Sequence, residues 1–227
     1  MNLWPFRRRL DPLAEAYRAA TPRRVPARRP VAELTFLVLD AETTGFRVGR
    51  DRLLSLATMP IRGGDLRVGE AAAWVVRQSA APMNAATAVH GILPSDTAAG
   101  DPEREVLAAL LPRLHGAILV GHHIGFDCGM LDDALRRAFG VGLRNPRLDT
   151  ATLAMRTVDA FGKTAYPGQR PPTLEELCAH CGIPPLDRHT AAGDTFTTAE
   201  LFLFLCARLR GRLSRPLLGR DLPISGG

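Results

Sequence analysis

Residues 34–45 read LTFLVLDAETTG, an apolar run that ends in two acids and a turn. The continuous apolar stretch from 34 to 40 predicts a buried β-strand. Asp40 and Glu42 lie two positions apart at its end, so both side chains point to the same face. Two carboxylates on one face can ligate a divalent cation, although such pairs are also common on solvated strand ends.

The chain that follows predicts a mixed sheet with helices around it. Residues 52–59 and 72–77 read as strands, and the tight turn at 62–65 between them predicts an antiparallel meander. A short buried strand is predicted at 117–121. Helices are predicted at 102–114 with Asp101 as the cap, at 127–139, at 149–158, at 173–181 with a Thr173/Glu176 capping box, and at 190–210. The pattern indicates an α/β layer fold.

The charge distribution divides the chain into three parts. Residues 1–30 hold eight arginines and two acids, so they carry the whole net charge of +6, and the remainder is balanced. We therefore predict a flexible Arg/Pro-rich leader over 1–30, a folded domain over 31–210 and a short tail over 211–227. The leader could bind nucleic acid or anionic lipid electrostatically, or it could be a solvated tail.

The composition excludes several classes of protein. No apolar run reaches the ~18 residues that a membrane span needs, and the N-terminus lacks the apolar stretch of a signal peptide. A cytoplasmic location is the default, with an Arg-rich transit peptide as the alternative. Cys178 and Cys181 form CAHC, half of a possible zinc site, but no second CxxC or HxxxH follows, so we do not predict zinc. The sequence does not indicate an oligomeric state.

Two later motifs add acids and a histidine. Asp127 follows GHHIGF, near the start of a predicted helix, where capping would also explain a carboxylate. His189 and Asp194 lie in HTAAGD at residues 189–194. Five residues correspond to about 500° of helical rotation, so we place His189 on the loop before the helix and Asp194 in its first turns.

Together these residues indicate two-metal hydrolysis of a phosphodiester. Four carboxylates at one point repel each other unless divalent cations hold them together. A nearby histidine can take a proton from water near neutral pH. The proposed metal ligands are Asp40, Glu42, Asp127 (directly or through water) and Asp194, with His189 as the base and two Mg²⁺ or Mn²⁺ ions as cofactors.

The three motifs, in this order, resemble those of the DnaQ-like (DEDDh) exonucleases: DAETTG at 40–45, GHHIGFD at 121–127 and HTAAGD at 189–194. The resemblance implies an RNase H-like fold with a mixed five-stranded sheet. It also implies metal-dependent 3′→5′ exonuclease activity that releases nucleoside 5′-monophosphates. His123 departs from the family pattern, which often has Asn there, whereas His122 matches it and is expected to be structural.

Further contacts to the substrate are expected from the same resemblance. The turn with Thr43, Thr44 and Phe46 abuts the terminal nucleotide in this family, and Phe46 could stack on a base or pack in the core. His90, in VHGI, is expected to contact a phosphate or sugar, or to be structural. Phe126 is expected to pack under the site or in the core.

Several functional alternatives remain at this stage. DAETTG and VHGI are similar to those of polymerase III epsilon-like members, which favours single-stranded DNA over RNA and makes a DNA polymerase a possible partner. RNA trimming, as in the RNase T and oligoribonuclease branches, is the alternative substrate class. A non-catalytic nucleic-acid-binding module is a third reading, against which the complete set of acids argues.

Overall fold

The run at 34–45 forms the central strand of a six-stranded mixed sheet. In a computed structural model, residues 10–78, 87, 90–162 and 170–226 are described. The strands are β1 (Thr35–Thr43), β2 (Leu53–Arg62), β3 (Asp65–Leu66), β4 (Ala72–Val75), β5 (Ile118–Gly121) and β6 (Arg147–Asp149).

The sheet combines an antiparallel half with a parallel half. The strand order is β3-β2-β1-β5-β6, and β4 also pairs with β2. β2 runs antiparallel to β1, β3 and β4, while β5 and β6 continue parallel to β1. The predicted meander and α/β class are confirmed. The sheet has six strands rather than five because the turn at Gly63 and Gly64, both at positive φ, closes a hairpin onto the two-residue β3.

Helices cover both faces of the sheet. They are α1 (Pro12–Ala20), α2 (Pro94–Ala98), α3 (Glu103–Leu110), α4 (Gly125–Phe139), α5 (Thr150–Thr157), α6 (Leu174–Cys181) and α7 (Ala191–Gly211). One core contains α1, α3 and α4 with Leu37 and Leu39 of β1. The second contains α5, α6 and α7 with Phe36 and Val38. Side chains of β1 therefore alternate between the two cores, as the period of a strand requires.

The predicted flexible leader is wrong for its described residues, 10–30. α1 lies against the first core with Ala14 and Tyr17 fully buried. The Tyr17 hydroxyl donates to Asn145 Oδ1 at 2.7 Å and accepts from the Arg144 amide at 2.7 Å. The many arginines of residues 1–30 favoured a solvated segment, so this amphipathic helix was not predicted. Its N-cap is Asp11.

The predicted tail is also part of the folded domain. Leu217 and Leu222 are buried in the second core. Ser225 exchanges backbone hydrogen bonds with Arg147 in β6, at 2.9 and 3.0 Å. These apolar residues are too widely spaced to form a periodic pattern, which is why they escaped the prediction.

Local helix signals were mostly reliable. Asp149 caps α5, Thr173 and Glu176 form a capping box on α6, and α4 ends at Gly140 in the left-handed conformation. Asp101 does not cap α3, because its backbone forms a bridge with Val76, just beyond β4, and Pro102 takes the cap position. Among the described residues, no helix has the length and apolarity to cross a membrane.

Candidate active site

Asp40 and Glu42 lie at the carboxyl end of β1, on the face that packs against α7. Their side chains point to the same face of β1 as those of Phe36 and Val38, which belong to the core beneath α7. Both acids are partly buried. The pairing between β1 and β2 shifts register after Glu42. The strand therefore presents the two acids side by side just before its regular pairing is interrupted.

Asp127 approaches the same strand end from the other layer. It lies in the first turn of α4 and is 7% exposed. Its Oδ1 accepts a hydrogen bond from the Ala41 amide at 3.2 Å. The second motif is thereby joined to the backbone between Asp40 and Glu42.

The loop before α7 carries His189 in a strained conformation. His189 has φ of 64° and Asp187 has φ of 38°, values that non-glycine residues rarely adopt. The loop is held by Thr190, whose hydroxyl donates to Asp187 O at 2.7 Å and accepts from the Gly193 amide at 3.0 Å. A Cβ at Gly193 would lie 2.3 Å from Asp187 O, so the close approach of loop and helix requires glycine.

This loop aims Asp194 inward and leaves His189 at the surface. Asp194 is 8% exposed, and its Oδ2 accepts from the His189 amide at 3.3 Å. The His189 side chain is exposed. The placement of His189 on the loop and Asp194 in the first turn of the helix agrees with the prediction. Backbone strain of this kind is commonly found at functional sites.

Three of the four predicted acids form one group. Carboxylate oxygens of Asp40, Glu42 and Asp194 lie within 4.8 Å of one another. Asp127 is not part of this triple, although its charge is close enough to raise the pKa of Asp40. The donor set is purely carboxylate oxygen, which suits hard divalent cations such as Mg²⁺ and Mn²⁺.

The electrostatics of the group favour a bound cation. Burial, followed by the charge of Asp127 and the other two acids, raises the pKa of Asp40 well above its usual range. Burial and the charge of Asp194 raise the pKa of Glu42 to about 7, and burial raises that of Asp127 to about 7. A cation among these carboxylates would relieve both the desolvation and the mutual repulsion.

Arg188, which the sequence reasoning missed, contacts this group. Its guanidinium pairs with Asp194 and with Glu175 of α6. The only sequence signal was its position directly before His189. An arginine in so arginine-rich a chain does not stand out.

A family model described as Exonuclease (RNase T) matches residues 37–202, well over half of the chain. The chain belongs to this exonuclease family. The match includes all three motifs, so the resemblance to DnaQ-like exonucleases is confirmed.

Relatives of the chain include two bacterial proteins. A DNA polymerase III subunit epsilon-like protein of Rhodobacter capsulatus is 37% identical over 82% of this chain and 26% of its own length. The DNA polymerase III subunit epsilon of Aquifex aeolicus is 26% identical over 84% of this chain and 89% of its own length. The chain thus spans about a quarter of the first relative and most of the second.

A solved structure supports the fold of the chain. Escherichia coli exonuclease I in complex with a dT13 oligonucleotide has a TM-score of 0.65 at 20% identity, over 79% of this chain and 42% of that one. At this level of identity the similarity concerns the fold alone. It confirms the predicted RNase H-like architecture.

The turn after β1 places an aromatic surface beside the candidate site. Thr43 and Thr44 are buried; the Thr43 hydroxyl donates to Gly45 O at 2.8 Å and the Thr44 hydroxyl accepts from the Arg52 amide at 3.0 Å. Phe46 is 74% exposed, which rules out the core alternative for this residue. Its ring lies 6.0 Å from that of Phe126, which packs partly against the first core.

His90 and the histidine pair of the second motif complete the surroundings of the site. His90 is buried, its Nδ1 accepts from the Ile92 amide at 3.0 Å, and its ring also interacts with the backbone of Thr43. His122 is structural, as predicted: its ring nitrogens contact Thr150 Oγ1 and Pro172 O, and burial lowers its pKa to about 4. His123 has φ of 56°, a conformation that Asn and His tolerate better than most residues.

Proposed function

We propose that the protein is a metal-dependent 3′→5′ exonuclease that releases nucleoside 5′-monophosphates from single-stranded nucleic acid. The observation that carries the proposal is the approach of carboxylate oxygens of Asp40, Glu42 and Asp194 to within 4.8 Å. These residues come from motifs more than 140 positions apart, within a chain of the exonuclease family.

The carboxylates would hold two divalent ions, Mg²⁺ or Mn²⁺. Asp40, Glu42 and Asp194 would bind directly, and Asp127, which is engaged by the Ala41 amide, directly or through water. When bound, such ions lower the pKa of an attacking water and stabilise the leaving 3′ oxygen.

His189 is the proposed general base. Its exposed ring can exchange protons with solvent, and its amide hydrogen bond to Asp194 keeps the loop beside the acids. The ring would take the proton of the attacking water. The strained backbone at His189 suits a residue whose side chain is presented rather than packed.

The substrate would lie across the turn after β1. Phe46 offers an exposed ring on which a terminal base could stack, with Phe126 beside it. His90, whose ring interacts with the Thr43 backbone beside the site, would contact a phosphate or sugar oxygen. The buried side chains of Thr43 and Thr44 hold this turn, and the turn's backbone would face the nucleotide.

DNA is the favoured substrate, and RNA is the alternative. Both relatives carry the name of a DNA polymerase III subunit, which also makes a replicative polymerase a proposed partner. Size-exclusion chromatography of the chain mixed with a polymerase III catalytic subunit tests that partnership.

The decisive experiment is an exonuclease assay on matched single-stranded DNA and RNA oligonucleotides, labelled at the 5′ or the 3′ end. With Mn²⁺ or Mg²⁺ we expect a ladder of shortened 5′-labelled DNA and immediate release of the 3′ label as mononucleotide. Chelator and the Asp194→Asn variant should both abolish the products. Undigested DNA and RNA with either ion would refute the proposal, and preferential digestion of RNA would reverse the substrate assignment.

A further inference from the structure

Arg188 brings a positive charge into the group of acids. One guanidinium nitrogen pairs with Asp194 Oδ1 and another with Glu175 Oε1, so the side chain bridges α7 and α6. The side chain is 20% exposed, whereas that of Glu175 is 51% exposed. The bridge therefore joins a buried carboxylate at the site to a solvated one outside it.

The conformation of Arg188 carries a cost that the ion pairs must outweigh. Its Nε is buried and has no hydrogen-bond partner among the described residues. An unpaired buried N–H is unfavourable, so the position of the guanidinium is explained by the ion pairs of its two terminal nitrogens with Asp194 and Glu175. Burial is the main cause that raises the pKa of Asp40 and of Glu42, and the charge of Arg188 opposes both rises.

The same carboxylate that Arg188 contacts belongs to the proposed metal site. Asp194 shares the triple with Asp40 and Glu42. A divalent ion and a guanidinium that approach one carboxylate repel each other, and they compete for its lone pairs. Glu175, which the guanidinium already contacts, remains as its partner once Asp194 is occupied.

We propose that Arg188 is an internal cation of the acid cluster: it neutralises Asp194 while the cluster holds no ion, and it competes with divalent ions for Asp194. Binding of an ion breaks the contact with Asp194 and leaves the guanidinium paired with Glu175 alone. The inference rests on the proposed function in taking Asp194 as a metal ligand. The competing view is that Arg188 is only a brace that positions Asp194 for metal. The two views predict opposite changes in ion affinity.

Calorimetric titration of Mn²⁺ into the metal-free full chain separates these views. In Arg188→Gln the competing charge is absent, so we expect the apparent Kd for Mn²⁺ to fall about tenfold, which corresponds to about 1.4 kcal/mol. The thermal midpoint of the ion-free variant should fall below that of the wild type, because the acids then lack their internal counter-charge. A brace would instead give weaker Mn²⁺ binding in the variant.

Two further variants test the opposite change in Mn²⁺ affinity and the absence of any change. Glu175→Gln removes the second partner, so Arg188 should remain on Asp194 and the Kd should rise about threefold. Arg170→Gln is the matched control, since Arg170 pairs with the neighbouring Glu176 on the surface of α6 at 2.9 Å. This control should leave the Mn²⁺ affinity unchanged.

An unchanged or weakened Mn²⁺ affinity in Arg188→Gln overturns the inference, and so does the absence of Mn²⁺ binding in both proteins. Nuclease assays on the wild type keep the two proposals apart. An active enzyme with unaltered affinity in Arg188→Gln would refute the internal cation alone. An inactive wild type whose Arg188→Gln variant binds Mn²⁺ more tightly would refute the exonuclease alone.

Discussion

Replacing Glu42 by Gln should stabilise the ion-free protein at alkaline pH and leave it almost unchanged near pH 4.5. The pKa of Glu42 is raised from 4.5 to about 7, first by burial and then by the charge of Asp194. A carboxyl group whose pKa is raised by folding favours the folded state while it is protonated. Its contribution is therefore lost as the pH rises from about 4.5 through about 7.

The magnitude follows from the size of that rise. At 1.36 kcal/mol for each pKa unit, the upper bound is about 3 kcal/mol. Because Glu42 is only partly buried, solvent screening reduces the expected effect to about 1–2 kcal/mol. Gln keeps the shape of the side chain and removes the ionisation, so the variant should gain this amount at pH 8.

Urea denaturation of both proteins at pH 5 and pH 8, in the presence of chelator, measures the difference. The gain of Glu42→Gln over the wild type should grow by ~1–2 kcal/mol between the two pH values. Added Mg²⁺ should stabilise the wild type more than the variant, which lacks one carboxylate. Equal differences at both pH values, or a less stable variant at pH 8, would show that Glu42 is not destabilised by its neighbours.

Three further substitutions test the site and its support. His189→Ala should lower kcat by a factor of about 10²–10⁴, because the proposed base is lost. The Mn²⁺ affinity should change less than about threefold, because the ring is outside the carboxylate group. A near-normal kcat would contradict the role of His189 as base. Tyr17→Phe should lower the free energy of unfolding in urea by about 1–3 kcal/mol, because the Arg144 amide loses its buried partner. Unchanged stability would show that the hydroxyl is dispensable. Gly193→Ala should lower the free energy of unfolding by about 1–3 kcal/mol and the nuclease activity at least about tenfold, because a Cβ would lie 2.3 Å from Leu186 O. A normal melting temperature with normal activity would show that the loop can move aside.

The central part of the fold could be predicted because the sequence features that specify it are local. The apolar run of β1, the capping box at Thr173 and the turn at Gly63 each fit within a few residues, and each formed as predicted. The acids were located by the ends of predicted elements. Asp40 and Glu42 follow from the two-residue period of a strand, and Asp194 from the start of a helix.

The parts that were missed depend on tertiary contacts. The burial of α1 rests on the hydrogen bonds of Tyr17 to residues more than 120 positions away. The left-handed backbone of His189 is imposed by the loop and by the packing of Gly193. The presence of a histidine does not predict this conformation. The bridge from Arg188 to Glu175 likewise requires α6 to lie beside α7. No pattern within a single segment encodes such contacts.

The register of β1 against β2 has a consequence for mutations remote from the acids. Asp40 pairs with Ala57 and Glu42 with Ser55, so the alignment of two long strands determines which side chains reach α7. A slip of one residue would turn Ala41 and Thr43 toward that helix and carry both carboxylates to the opposite layer. Substitutions along β2 that weaken its pairing with β1, which extends to Thr35 and Arg62, can therefore displace the acid group without altering any of its residues.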